Sequence, residues 1–304
     1  MIYKHRTKPE ELQILEYLNK RINLPIKEKN YYLALKKGYE GEVMFDNLTE
    51  QLQFDCLILN DLLLESNKKT FQIDTLIISS NKVYFYEVKN NEGDHYYESD
   101  KIYKFPKVEI ANPINQLSRS DTLLKQLILS LGYNIPIEGL VVFINPEFTL
   151  YQSPLNKPFL YPTQIKHYLK QLDSITSKIT SKHRELADKL ISLHWINTKE
   201  RKYSNLPEYQ YVELRKGITC AMCESFSISL NGRSCICNTC GHVEKLTFAV
   251  IRSVREFKKL FPEEKITTNK IHDWCKIVDS KRRIRRILEN NFNTLGVHQW
   301  TYYE

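Results

Sequence analysis

Apolar residues spaced three and four apart predict the helices of this chain. Leu12, Leu15 and Leu18 recur between Glu10 and Arg21, which places them along one side of a helix. Pro25 separates it from a second helix over 39–52, where Val43, Phe45, Leu48 and Leu52 keep near-helical spacing. Gly38 and Gly41 precede or open that helix, and Glu42 falls in its early turns. Asn112 followed by Pro113 is a helix-start signal, because Asn caps free backbone N–H groups and Pro fits the first turn. Leu117, Leu124, Leu127 and Leu131 carry that helix onward, and 163–193 reads as largely helical with a polar break over 174–181.

Runs rich in β-branched and aromatic residues predict the strands. Phe54–Leu64 is a buried candidate, and 71–79 with 83–89 flank Ser79-Ser80-Asn81-Lys82 as a hairpin. Gly139–Ile144 is wholly apolar and belongs in the middle of a sheet. The order αβββαβ describes an α/β core: a mixed sheet flanked by helices. Polar 198–207 marks the expected end of that region.

The hairpin carries candidate chemistry. With its turn centred between Ser80 and Asn81, Asp74 lies opposite Glu87, and Lys89 shares the face of Glu87. Carboxylates held across an antiparallel pair repel one another unless something offsets the charge. A hard divalent cation such as Mg²⁺ or Mn²⁺ does so, and it favours oxygen ligands. A neighbouring lysine stabilises charge developing on a phosphate under attack, so the set suits phosphodiester hydrolysis. An isolated Asp and Glu-x-Lys would more commonly be a solvated hairpin face; the register argues against that here.

These residues and their neighbours resemble the nuclease-related domain family (NERD), a branch of the PD-(D/E)XK restriction-endonuclease-like enzymes. The matching motifs are Gly38-Tyr39-Glu40-Gly41-Glu42, Ile73-Asp74, Glu87-Val88-Lys89-Asn90 and Asn112-Pro113-Ile114-Asn115-Gln116, over roughly 30–150. Tyr86 departs from the aliphatic residue the family often has before the Glu. The resemblance implies that Asp74, Glu87 and the Val88 carbonyl hold Mg²⁺ (or Mn²⁺) and that Lys89 assists the attacking water. It further implies that Glu42 joins or orients the metal shell and that Gln116 positions water or phosphate.

Composition adds a second metal. Five of the seven cysteines fall between Cys220 and Cys240. Cys220, Cys223, Cys237 and Cys240 form C-x2-C pairs 13 residues apart, the spacing of a structural Zn²⁺ ribbon, with Cys235 and His242 as substitutes. Asn231-Gly232 reads as a hairpin turn within it. Such crowding suits a reducing compartment, and with no apolar leader or 18-residue apolar run the expected location is the cytoplasm.

A net charge of +8 favours a polyanionic partner. Helices over 268–277 and 281–291, joined at Asp279-Ser280, suggest a helix-turn-helix with 295–303 as a wing strand. Lys281, Arg282, Arg283, Arg285 and Arg286 load the second helix for nucleic-acid binding, while Ile284, Ile287 and Leu288 line its inner side. The expected organisation is an N-terminal helix (1–30), a nuclease-like domain (31–173), a helical connector (174–214), a zinc ribbon (215–247) and a winged-helix-like domain (248–304). The expected function is metal-dependent cleavage of DNA. The alternatives are an inactive DNA-binding regulator on the same fold, or RNA as substrate.

Overall fold

The structure, a computed structural model, describes residues 1–194 and 206–304. It forms two compact units, one of Met1–Lys8 with 33–202, the other of Pro9–Tyr32 with 203–304. The boundary expected within 198–207 lies largely outside the described residues.

The first unit is built on a six-stranded mixed sheet in the order β1-β2-β3-β4-β8-β10. Its strands are β1 (Ile2–Lys4), β2 (Leu57–Ser66), β3 (Lys69–Ile78), β4 (Val83–Lys89), β8 (Ile137–Phe143) and β10 (Phe159–Leu160). A second, four-stranded sheet in the order β7-β6-β5-β9 comprises β5 (Gly93–Glu98), β6 (Lys101–Lys104), β7 (Val108–Ile110) and β9 (Phe148–Tyr151). The apolar run of β8 lies between β4 and β10, where a strand covered on both faces is expected.

Alternation along the strands feeds two cores. Leu57, Leu59, Ile78, Val83 and Phe85 pack against Leu124 and Leu127 of α3 (Pro113–Ser130) and Leu186 of α5 (Ser181–Ser192). Ile58, Ile77, Tyr84 and Tyr86 pack against Phe45 of α2 (Ile26–Thr49) and Leu169 of α4 (Pro162–Asp173). Asn112 caps α3 by accepting from the Ile114 N–H at 3.0 Å, as its position before Pro113 predicts.

Helix α2 differs from expectation. It begins at Ile26 rather than near Tyr39, so Gly38 and Gly41 are interior and Glu42 sits in its second half. Periodicity missed its first turns because their polar residues carry no apolar stripe. Gly41 is there for space: a Cβ would meet Cβ of Asn90 at 2.5 Å, so the helix and the end of β4 could not approach as they do.

In the second unit, α1 (Glu10–Arg21) buries Leu12, Leu15 and Leu18. Its Arg21 makes a buried ion pair with Glu256 of α6 (Leu246–Leu260) at 2.7 Å and lies 4.0 Å over the Trp274 ring. Strands β11 (Ile228–Asn231), β12 (Ser234–Cys237) and β13 (Val243–Lys245) form an antiparallel sheet. Helices α7 (Thr268–Cys275) and α8 (Lys281–Asn291) precede the pair β14 (Thr294–Leu295) and β15 (Tyr302–Tyr303), and Ile266 bridges to Tyr303. Among the described residues no helix is long and apolar enough to cross a membrane.

Candidate active site

The hairpin turn closes with the Ser79 N–H donating to the Lys82 carbonyl at 2.9 Å, which fixes the pairing of its strands. The register runs from Ile78↔Val83 to Thr75↔Tyr86, and one further step sets Asp74 against Glu87. The ladder stops there because the Val88 N–H donates at 2.8 Å to the Asp74 carboxylate instead of to a strand partner. Both acids are buried, Asp74 at 5% exposure and Glu87 at 3%.

Lys89 bridges outward from this pair. Its Nζ donates to Glu87 Oε1 at 2.6 Å and to Gln116 Oε1, at the start of α3, at 3.2 Å. Glu42 reaches the site from α2. Asp74 and Glu42 repel electrostatically, as do Asp74 and Glu87, so the three carboxylates form one interacting group. Val88 contributes backbone here, its side chain being buried with Tyr86 and Phe45.

The charges are costly to hold in this setting. Burial, then the nearby Asp74 carboxylate, pushes the Glu42 carboxyl up to about 8 against the pull of Arg6. Burial and Asp74 likewise push Glu87 up to about 7, with Lys89 opposing. Burial raises Asp74 too, while the Val88 N–H lowers it. Three carboxyls raised chiefly by burial, two of them also by Asp74, form an oxygen-only donor set that a hard divalent cation would neutralise. Among the described residues, however, only the cysteines already bring three or more ligand atoms within 4.8 Å of one another. The carboxylates would have to close in on an ion.

Sequence reasoning missed Arg6. It follows β1, and its guanidinium, 3% exposed, donates to Glu42 Oε2 at 2.6 Å, to Asp46 Oδ2 at 2.8 Å and to the Asp74 carbonyl at 2.6 Å. A three-residue strand has too short a pattern to stand out, and no local signal ties Arg6 to acids 36 to 68 positions away.

In the second unit, Cys220, Cys223, Cys237 and Cys240 converge, with Cys220 and Cys240 sulfurs 3.6 Å apart and those of Cys223 and Cys237 3.5 Å apart. Tetrahedral thiolates about 2.3 Å from a zinc ion stand roughly 3.8 Å from each other, whereas a disulfide needs about 2 Å. The four sulfurs therefore fit one Zn²⁺, and with the three-stranded sheet they are compatible with a zinc ribbon. Cys235 and His242 are not members of the cluster.

Lys281, Arg282, Arg283, Arg285 and Arg286 are all exposed on α8, while Ile284 and Leu288 are buried. Arg283 donates to the Gly232 carbonyl at 2.7 Å, and Arg285 pairs with Glu289 at 2.7 Å.

A mixed sheet between helices, with acids and a lysine at the end of its central hairpin, defines a restriction-endonuclease-like, nuclease-type fold. Residues 37–144 match the family model described as "Nuclease-related domain", NERD. Comparison with curated proteins and with solved structures gives no match.

Proposed function

We propose that the protein is a metal-dependent nuclease that hydrolyses DNA phosphodiester bonds. The observation that carries this reading is the pair of buried acids, Asp74 and Glu87, set across one hairpin with Lys89 bonded to Glu87 and Gln116. Asp74, Glu87 and the Val88 carbonyl would hold Mg²⁺ or Mn²⁺, with Glu42 completing or orienting the set. When bound, the ion would offset the clustered negative charge and polarise the phosphate. Lys89 holds a positive charge where the phosphate gains negative charge. Gln116, at the mouth of the site, orients water or a phosphate oxygen. Asp74, bonded to the Val88 N–H, is fixed in direction before any ligand arrives.

The other modules favour DNA as the partner. The order α6, Ile266, α7, α8, β14, β15, with Ile266 and β14 both paired to β15, supports a winged-helix reading in which α8 would be the groove-reading helix. The cysteine cluster takes Zn²⁺ and has a structural role, because four thiolates leave no open position. Seven cysteines with no disulfide among them fit a reducing, cytoplasmic setting.

The test is incubation of purified protein with circular and linear DNA, with Mg²⁺ and with chelator. Cleavage that needs Mg²⁺ and falls at least about 100-fold in Glu87→Ala and Lys89→Ala, both still folded, is expected. Variants that cut as the wild type does remove the catalytic assignment. Salt-sensitive DNA binding without cleavage in Mg²⁺ or Mn²⁺ replaces the nuclease with a binding protein on the same fold.

A further inference from the structure

The four-stranded sheet has one face in the core and one in solvent. His95, Tyr97, Ile102 and Phe148 point inward and are buried. The residues alternating with them include Tyr96 on β5, Tyr103 on β6 and Tyr151 on β9, and the three stand in register, Tyr151↔Tyr96 and Tyr96↔Tyr103. Tyr96 and Tyr103 are stacked, with centroids 5.1 Å apart and planes 17° from parallel, and Tyr151 is 55% exposed. Phe105, two residues past Tyr103, is 69% exposed and keeps a backbone bond to Asp94.

Residues next to Tyr103 line a cleft at the candidate active site. A cleft of about 830 Å³ is lined by Lys89 and Gln116 and also by Lys101 and Glu109. Lys101 shares the face of Tyr103 along β6, and Glu109 lies opposite Tyr103 on β7. Through Lys101 and Glu109, residues that neighbour Tyr103 thus border the same cleft as Lys89 and Gln116.

We propose that this outer sheet face is a stacking platform for an unpaired DNA strand, which Tyr151, Tyr96 and Tyr103 grip by its bases and lead into the cleft beside Lys89. The inference rests on the nuclease reading above and names its substrate class. Stacked rings extend by accepting another planar ring, and bases on tyrosines bind with little regard to sequence. The charge pattern selects the single strand. Asp94 and Glu98 flank Tyr96 along β5, and Glu109, paired with Lys101 at 2.9 Å, faces Tyr103. A duplex would bring its phosphates against these acids, whereas an unpaired strand presents bases to the tyrosines and keeps phosphates outward.

The experiment measures fluorescence anisotropy of a labelled 20-nucleotide oligothymidylate and of a labelled duplex of equal length, with full-length protein and metal withheld. Tyr103→Leu and Tyr151→Leu are each expected to weaken single-strand binding ~10-fold while Tyr103→Phe stays within about twofold. Duplex binding should be unchanged in all three. Tyr151 lies exposed on the edge strand β9, so its variant keeps the test usable should Tyr103→Leu fail to fold. Folded leucine variants that hold the single strand as the wild type does, or that lose duplex binding equally, overturn the platform. Since no hydrolysis is involved, unchanged binding in variants of an enzyme that cuts DNA sinks the platform alone. Tyrosine-dependent binding by a protein that never cuts supports the platform and sinks the nuclease.

Discussion

Arg6 and Glu42 are joined at 2.6 Å, and the same guanidinium holds Asp46 and the Asp74 backbone, so one buried cation braces two of the three acids in the site. Removing it leaves carboxylates without a partner in a low-dielectric setting. Arg6→Met is expected to destabilise the protein by about 3 kcal/mol, by the usual cost of breaking a buried ion pair. Arg285→Ala, which breaks an exposed pair, should leave stability close to that of the wild type. Urea denaturation of both variants checks the contrast, and equal costs would contradict the bracing role.

The pH dependence of stability has a defined sign. Glu42 and Glu87 titrate near 8 and near 7 in the fold and near the ordinary 4.5 when unfolded. A raised acid gives its full contribution below the unfolded value and loses it as pH rises through the folded one. Without divalent metal, the protein should therefore grow less stable between about pH 4.5 and pH 8. Thermal melts at pH 5.5 and 8.5 should show the fall, and Glu42→Gln with Glu87→Gln should flatten it. Mg²⁺ at the higher pH should restore the melting temperature by binding the folded state. A wild-type profile as flat as that of the double variant would refute the clustering of these charges.

Two glycines three residues apart on α2 should respond oppositely. Gly41→Ala drives a Cβ into Asn90 and is expected to cost roughly 1–3 kcal/mol. Gly38→Ala meets nothing within 4 Å and should stabilise the helix by roughly 0.5–1 kcal/mol. Denaturant midpoints of the two variants decide the matter; a destabilised Gly38→Ala would mean that its surroundings are not open.

Metal content separates the cysteines. One zinc per chain is expected by atomic absorption, lost in Cys223→Ser and kept in Cys235→Ser. Because zinc contributes roughly 10–16 kcal/mol to folding of small thiolate modules, chelation should expose the four ribbon thiols to a colorimetric reagent. Retention of zinc in Cys223→Ser would assign the site to other ligands.

Local signals proved sufficient wherever they were enough to fix geometry. The two-residue turn at Ser80-Asn81 sets the register of β3 and β4, so the opposition of Asp74 and Glu87 could be worked out by counting. The spacing of the ribbon cysteines and the Asn112-Pro113 helix start are of the same kind. What stayed hidden depends on tertiary packing. The first turns of α2 lack an apolar stripe, and the strands of the second sheet are six residues or fewer and rich in polar residues. Helix α6 drew no attention beside the cysteines that precede it, and Arg6 acts on residues far along the chain.

The interrupted threading of the two units bears on how the protein is made. During synthesis β1 waits more than fifty residues for β2, and Arg21 waits 235 residues for Glu256. Ribosome-bound chains can complete the first unit while the leading helix α1 is still without its eventual partner α6. An amphipathic segment left uncovered over that span of translation keeps apolar surface exposed until α6 has been made.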